Sequence, residues 1–194
     1  MRILVAIPTK DTVDAQCAVS VANLDRCGHE VDFANADGRG VYGAAQARIC
    51  VAKKAVEGGY DRLLMVDSDV IVPRDAIANL LAPPESIVLG CYRYKNETGD
   101  VPLFRPAPIN GSDKWNWNDI EPKRFAIKCG GLGCAMVDVS LFAELPKPCF
   151  HWDERPSGCH TSEDIWFCEL ARKYGHEVWA DGRVRCRHVG RKVY

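Results

Sequence analysis

The apolar run Leu63-Leu64-Met65-Val66 breaks off at Asp67-Ser68-Asp69 and resumes as Val70-Ile71-Val72 before Pro73. A run this short, bounded by polar residues, reads as a buried strand rather than a helix of ordinary length. It carries two carboxylates, one residue apart, to the edge of a sheet. Strand residues i and i+2 face the same way, so both acids can point into one site. Like charges held that close favour a shared cation, and hard oxygen ligands suit Mg²⁺ or Mn²⁺. In open α/β sheets ligands bind beyond the carboxyl ends of the strands. On these residues alone, a polar turn before the next element stays open as the alternative.

The same alternation runs through the first half of the chain. Strands are expected at 2–8, 30–34, 61–66 and 86–92, with helices at 13–26, 44–56 and 74–81 between them and a loop at 37–40. Cys27-Gly28 and Gly58-Gly59 stop the first two helices. The pattern predicts an α/β domain with a mostly parallel, Rossmann-like mixed sheet and helices on both faces. Residues 95–122 are rich in Pro, Asn, Asp and Trp, and read as a long irregular loop, the kind that carries function. Strands follow at 124–129 and 134–139 around Gly130-Gly131-Leu132-Gly133, then a helix at 140–145 and a second irregular stretch at 146–159. A helix at 162–174, N-capped by Ser162, and strands at 177–180 and 184–186 complete the chain.

With 194 residues, 47% of them hydrophobic, the chain fits one globular domain with a sizeable core. A net charge of −1 does not mark a nucleic-acid binder. Charge is uneven, however: Arg183, Arg185, Arg187, Arg191 and Lys192 crowd the end without an acid among them, a tail that can grip phosphates or lie solvated. No signal peptide and no membrane segment is read, so a cytoplasmic setting is expected. The ten cysteines are scattered without a C-x-x-C pair. Cys17, Cys50 and Cys168 fall inside apolar patterns, and the set reads as reduced core thiols. A zinc site among Cys149, His151, Cys159 and His160 stays open, with irregular spacing.

Three further groups are candidates. Glu163-Asp164 opens a helix directly after a loop; acids there suit the helix dipole, and a carboxylate in that place can also serve as general base toward a hydroxyl. His188 lies between Arg187 and Arg191, which disfavour its protonation and keep it available as a neutral ligand. Trp115 and Trp117 alternate in a segment flanked by Arg93, Lys95, Arg105, Lys123 and Arg124. They read either as a loop tucked onto the core or as a stacking platform for a sugar ring or a nucleobase.

In order along the chain, these features resemble the GT-A family of nucleotide-sugar-dependent glycosyltransferases, in a compact bacterial or phage form. Residues 3–9, ILVAIPT, look like the first strand and donor-binding turn. Ala47-Arg48 resembles the family's Ala-Arg-Asn helix start, with Ile49 in place of Asn, and Asp67-Ser68-Asp69 resembles its D-x-D motif. Residues 131–136, with Asp138 and Phe142, resemble the Gly-rich turn and strand of the sugar pocket. Residues 162–168 resemble the catalytic Glu-Asp segment, and His188 the C-terminal metal-binding His.

The resemblance implies a single domain, 1–194, with 1–94 as the nucleotide-sugar half and 95–194 as the acceptor and catalytic half. It implies Mn²⁺ or Mg²⁺ on Asp67, Asp69 and His188, neutralising a nucleoside diphosphate as it leaves. Pro8, Thr9, Asp11, Asp37, Arg48, Asp67 and Ser68 are the implied donor contacts, with Arg191 and Lys192 closing over the diphosphate of a UDP- or GDP-linked sugar. Asp164 is the implied base of an inverting displacement, with Glu163 orienting it or touching acceptor. Trp115, Trp117, Gly131 and Gly133 are the implied acceptor side. The acceptor is a glycan, a small molecule or a nucleic acid, including a modified base in phage DNA. The implied setting is the cytoplasm of a bacterial or phage-infected cell, and since 194 residues leave little room for an acceptor domain, a partner or a homo-oligomer is expected to complete the site.

Three other readings are weighed. A phosphohydrolase similar to the haloacid-dehalogenase class would use Asp67 as nucleophile, but Ile71 stands where that motif wants Thr or Val. A nucleotidyltransferase would need a Gly-rich, basic loop after the first strand, which Pro8-Thr9-Lys10-Asp11 is not. A catalytically silent sugar- or nucleic-acid-binding module has no use for so many intact carboxylates.

Overall fold

Apolar runs buried on both faces dictate the centre of the molecule. The computed structural model describes residues 1–9, 11–38, 42–81, 85–96, 98–109, 112–154 and 160–190. In chain order the elements begin β1 (Arg2–Thr9), α1 (Ala15–Ala22), β2 (Glu30–Asp37), α2 (Gly43–Glu57), β3 (Arg62–Val66), β4 (Val70–Ile71), α3 (Ala76–Leu81) and β5 (Ile87–Cys91). They continue with β6 (Asp100–Ile109), β7 (Ser112–Asn116), a 3₁₀ turn (Trp117–Asp119), β8 (Arg124–Ile127), β9 (Cys129–Gly130), β10 (Cys134–Asp138) and α4 (Leu141–Glu144). The last are β11 (Asp153–Glu154), β12 (His160–Thr161), α5 (Glu163–Lys173), β13 (Val178–Arg185) and β14 (Arg187–His188).

Seven strands form the main sheet in the order β2-β1-β3-β10-β5-β13-β8. β1 is parallel to β2 and β3, and β13 is parallel to β5. β10 is antiparallel to both β3 and β5, so those two share one direction, and β8 is antiparallel to β13. Five strands thus run one way and two the other. The mixed α/β sheet matches the expected class, with one correction to the βαβ pattern: β10, from the second half of the chain, is inserted against the grain between two strands of the first.

Strand side chains alternate between two cores. Leu4, Ala6, Leu63, Met65, Ala135 and Val137 pack with α2, α4 and α5. Ile3, Val5, Leu64, Val66, Cys134 and Met136 pack with α1 and α3 on the other face. This double burial is why the strands read as unbroken apolar runs. Phe150 and Phe167 stack at 4.8 Å beneath α5, with Phe142 6.1 Å from each.

Several boundaries differ from the sequence reading. Residues 95–122 are not a structureless loop: β6 pairs with β7 and β9 in a small antiparallel sheet. Pro102, Pro106 and Pro108 hide this strand from pattern reading, because proline lacks the N–H of a regular ladder, and the β6–β7 pairing shifts register twice. The expected strands 177–180 and 184–186 are one strand, β13, with an irregularity between Asp181 and Arg185. α1 is shorter than 13–26, starting after Asp14, whose carboxylate accepts from Gln16 N–H at 2.8 Å. Ser162 takes the N-cap position of α5 without a side-chain cap bond.

Among the described residues nine cysteines are free thiols, seven of them buried. Cys50 is a correction, lying on the exposed side of α2 beside half-exposed Ile49. Among the described residues no helix is long and apolar enough to cross a membrane.

Phe167 ties α5 to the aromatic cluster from one turn below Asp164. Phe167→Ala is expected to destabilise the fold by about 3–5 kcal/mol, read as a lower midpoint in urea unfolding.

Candidate active site

The carboxyl ends of the parallel strands meet at one edge. Thr9 and Asp37 end β1 and β2 as register partners, and Asp67 follows β3. Because β10 runs backward, its leading turn, Gly131 to Gly133, reaches the same edge; Asp67 N–H donates to the Gly133 carbonyl at 2.9 Å. Tyr92 follows β5 there. β14 pairs with β4, His188 opposite Val70, and Val189 N–H donates to the Asp69 carbonyl at 2.8 Å.

Asp67-Ser68-Asp69 forms a turn between β3 and β4, not a continuous strand, and its two acids address different partners. Asp67 Oδ1 is 2.9 Å from Arg48 Nη2. Asp69 pairs with Lys95 and lies 3.3 Å from His188 Nε2.

Arg48 is the hub of the first set. Ala45, Arg48, Ala52 and Ala55 share the buried stripe of α2, and small alanines let the helix sit close to the sheet. Arg48 is 2% exposed. Its Nη2 is also 3.1 Å from Asp164 Oδ1, and its Nε is 3.5 Å from Glu163 Oε1. Glu163, Phe167, Cys168 and Ala171 form the buried stripe of α5, so Glu163 faces inward while Asp164 stays partly open. One cation thus faces three carboxylates, and the surplus negative charge has a consequence. Burial pushes the Asp164 carboxyl up to about 7, with Glu163 and Asp67 adding to the rise, against the pull of Arg48 and a hydrogen bond from Leu132 N–H.

The second set behaves oppositely. Burial opposes ionisation of Asp69, but hydrogen bonds and charge from His188 and Lys95 outweigh it and hold the carboxyl at about 2. His188 Nδ1 lies 2.9 Å from the Arg93 carbonyl. Nδ1 donating to that carbonyl orients the ring and turns Nε2 toward Asp69, the geometry of a ligand oriented through its other nitrogen. Among the described residues no three His, Cys, Asp or Glu side chains group as a metal site; Asp69 and His188 supply two.

Tyr92 joins the two sets and was missed in the sequence. Its ring stands edge-on to His188 at 5.3 Å, and its hydroxyl accepts from Gly133 N–H at 3.2 Å. A Cβ at Gly131 would sit 2.2 Å from that hydroxyl oxygen, and one at Gly133 2.8 Å from it and 3.0 Å from Asp67 Oδ2. Both glycines therefore let the turn close over Tyr92. Lys95 on Asp69 was likewise missed as a partner. The available signal was position: Tyr92, Arg93 and Lys95 follow a parallel strand at its carboxyl end.

The remaining candidates fall as follows. Thr9 is buried and its hydroxyl donates to the Thr12 carbonyl at 2.9 Å, while Asp11 and Asp37 are exposed. Pro8 lies buried beside Thr9, and the Ser68 carbonyl accepts from Asp14 N–H at 2.8 Å. Trp115 lies under the Arg105 guanidinium at 3.7 Å and against Phe125 at 4.6 Å. Trp117 faces Arg185 at 4.8 Å and Arg93 at 5.6 Å. The flanking cations are engaged with acids: Arg105 with Asp119, Lys123 with Glu121, and Arg124 with Glu85 and Asp181. Cys149 is buried and His151 exposed. Arg191, Lys192, Cys159 and the His160 side chain lie outside the described residues.

Because the folded protein holds Asp164 above the ordinary carboxylate range, its ionisation opposes folding. That penalty is absent below the unfolded pKa, near 4, and complete above about 7. Asp164→Asn is therefore expected to raise stability at pH 8 by about 1–3 kcal/mol, with the gain shrinking toward pH 4 in paired thermal melts.

No protein-family model matches the sequence, and no curated protein matches it. Solved structures do. A197 from STIV superposes with a TM-score of 0.66 at 18% identity, over 98% of this chain and 86% of its own. GalNAc-T7, solved with UDP, GalNAc and Mn²⁺, gives 0.62 at 13% identity, over 99% of this chain and 44% of its own. A Drosophila β1,4-galactosyltransferase 7 mutant, solved with manganese, UDP-Gal and xylobiose, gives 0.51 at 19% identity, over 93% and 64%. This chain spans less than two thirds of the length of the last two. The fold of this chain is that of the GT-A glycosyltransferases.

Proposed function

We propose that this chain is a divalent-metal-dependent glycosyltransferase, moving a sugar from a UDP- or GDP-linked donor to an acceptor hydroxyl with inversion. The observation that carries the reading is the convergence of Asp67 and Asp164 on one buried guanidinium, 2.9 and 3.1 Å away, at the carboxyl edge of a GT-A sheet. That edge is where such sheets bind ligands. Two of the structures sharing the fold hold a UDP moiety and manganese, which supports a nucleotide-sugar donor and a divalent cation here.

Asp69 and His188 fit a cation chemically: a carboxylate held ionised and an imidazole whose Nε2 faces it, where a cation would take the place of the Nε2 proton. With Asp67 they would hold Mn²⁺ or Mg²⁺, which when bound supplies positive charge against the departing diphosphate. Pro8, Thr9, Asp11, Asp37 and Ser68 line the strand-end edge for the nucleoside, and Arg191 and Lys192 are proposed to close over the diphosphate. Asp164 takes the proton of the acceptor hydroxyl as that oxygen attacks the anomeric carbon. A base with a pKa near the working pH suits the task. Glu163, buried against Arg48, keeps the guanidinium and hence Asp164 in place. The pairing of Asp67 with Arg48 and the shared fold do not favour the phosphohydrolase reading, in which Asp67 would be the nucleophile.

A thermal-shift screen of UDP, GDP and their sugars, with Mn²⁺ or with EDTA, tests the donor. One nucleotide is expected to stabilise the chain only with metal, by about 2.7 kcal/mol at ~100 times its Kd, and Asp69→Ala is expected to abolish the shift. No shift with any nucleotide would remove the reading. Asp164→Asn is expected to lower transfer by about 10²–10⁴-fold while calorimetry still records donor binding, and wild-type kcat/KM should rise with pH through the neutral range. Transfer preserved in Asp164→Asn would sink the base assignment.

A further inference from the structure

We infer that the cavity between α2 and residues 148–153 is the acceptor site and that it takes an uncharged carbohydrate, an inference that rests on the glycosyltransferase reading above. The cavity holds about 610 Å³, within the range of small-molecule sites. Its α2 wall is Ala45, Gln46 and Ile49, the turn on either side of Arg48, whose guanidinium holds Asp164. The opposite wall is fastened to α5 two residues past Asp164. There Trp166 Nε1–H donates to the Pro148 carbonyl at 3.4 Å, and the Trp166 ring meets His151 edge-on at 5.1 Å. The cavity therefore borders both elements that position the base. It shares no residue with the strand-end edge assigned to the donor.

Its chemistry selects the ligand. Tyr42, which is 48% exposed, and Trp152 offer ring faces, while Gln46 and Asp153 offer planar polar groups. Trp152 Nε1 is shut off from solvent and has no hydrogen-bond partner among the described residues. Sealed against a water-sized oxygen, that N–H is closed to a ligand oxygen as well, so Trp152 meets a ligand through its ring. A pyranose matches this lining: C–H faces for the rings and hydroxyls for Gln46 and Asp153. No Lys or Arg is among the described lining residues. Three carboxylates to one guanidinium behind the α2 wall leave surplus negative charge, which repels phosphate. The cations 105, 123 and 124 that would greet a nucleic acid are paired internally. An uncharged sugar is favoured over an anionic acceptor on each count.

The test is saturation-transfer NMR on the full chain with Mn²⁺ and UDP present (GDP in its place if the thermal-shift screen selects it), using xylobiose, lactose, chitobiose and a thymidine hexanucleotide as probes. At least one disaccharide is expected to bind. Its Kd should weaken at least ~10-fold in Trp152→Ala and in Tyr42→Ala, with UDP affinity by calorimetry kept within about twofold. Tyr42 is exposed enough that its removal leaves the fold intact should Trp152→Ala not fold. Binding of the hexanucleotide alone, disaccharide binding that survives both substitutions, or no disaccharide binding by a chain that still binds UDP would each overturn the inference. Failure of the unsubstituted chain to bind either UDP or GDP would overturn the glycosyltransferase reading instead.

Discussion

Arg48 reaches from the buried stripe of α2 into a space where one guanidinium meets Asp67, Glu163 and Asp164. A buried cation without partners is strongly unfavourable, and so is a buried carboxylate. The arrangement satisfies both only in part. Burial makes the third acid, Asp164, resist ionisation, and the other two, which more than neutralise the arginine, add to it. The interaction also welds three distant pieces of chain: the first long helix, the turn after β3 and the start of α5. Together they form a polar site at the sheet edge, its charge state set by burial and by the ratio of acids to arginine.

The second constraint is topological. A purely parallel sheet would have brought only strand ends to this edge. The backward β10 brings a strand beginning as well, and with it the glycine turn that closes over Tyr92. The short β14 then lies along β4 and carries His188 to Asp69. Tyr92, edge-on to His188 and bonded to Gly133, is the contact between the two halves of the site. Most of the basic residues grouped in the middle of the sequence serve this scaffold: Arg124 spans Glu85 and Asp181, and Arg105 lies on Trp115 and pairs with Asp119. Their charges are matched within the chain, and the cavity beside α5 is lined, among the described residues, by aromatic groups, Gln46, His151 and Asp153 with no Lys or Arg.

Much of this was legible in the residues and some was not. Runs such as Leu63 to Val66 announce strands covered on both faces, because burial on two sides removes the polar alternation that would otherwise blur them. The first-half alternation of strand and helix, the acids after β3 and the acids opening α5 could be read the same way. The proline-rich strand β6 could not, since a missing N–H looks like loop until a partner strand absorbs the irregularity. Nor could the partners of the carboxylates. Asp67 and Asp69 are near neighbours in sequence and answer to different cations, because a turn, unlike a strand, does not aim i and i+2 together. The sequence by itself determined the fold class and the stock of acids, glycines and histidine at strand ends, since local apolar pattern and turn chemistry act over a few residues. Only the tertiary structure decided that Arg48 would hold three acids, that Lys95 and His188 would share Asp69, and that Trp152 would be left with an unmet donor. Those outcomes depend on contacts between residues dozens of positions apart, and burial, not proximity in sequence, sets their strength.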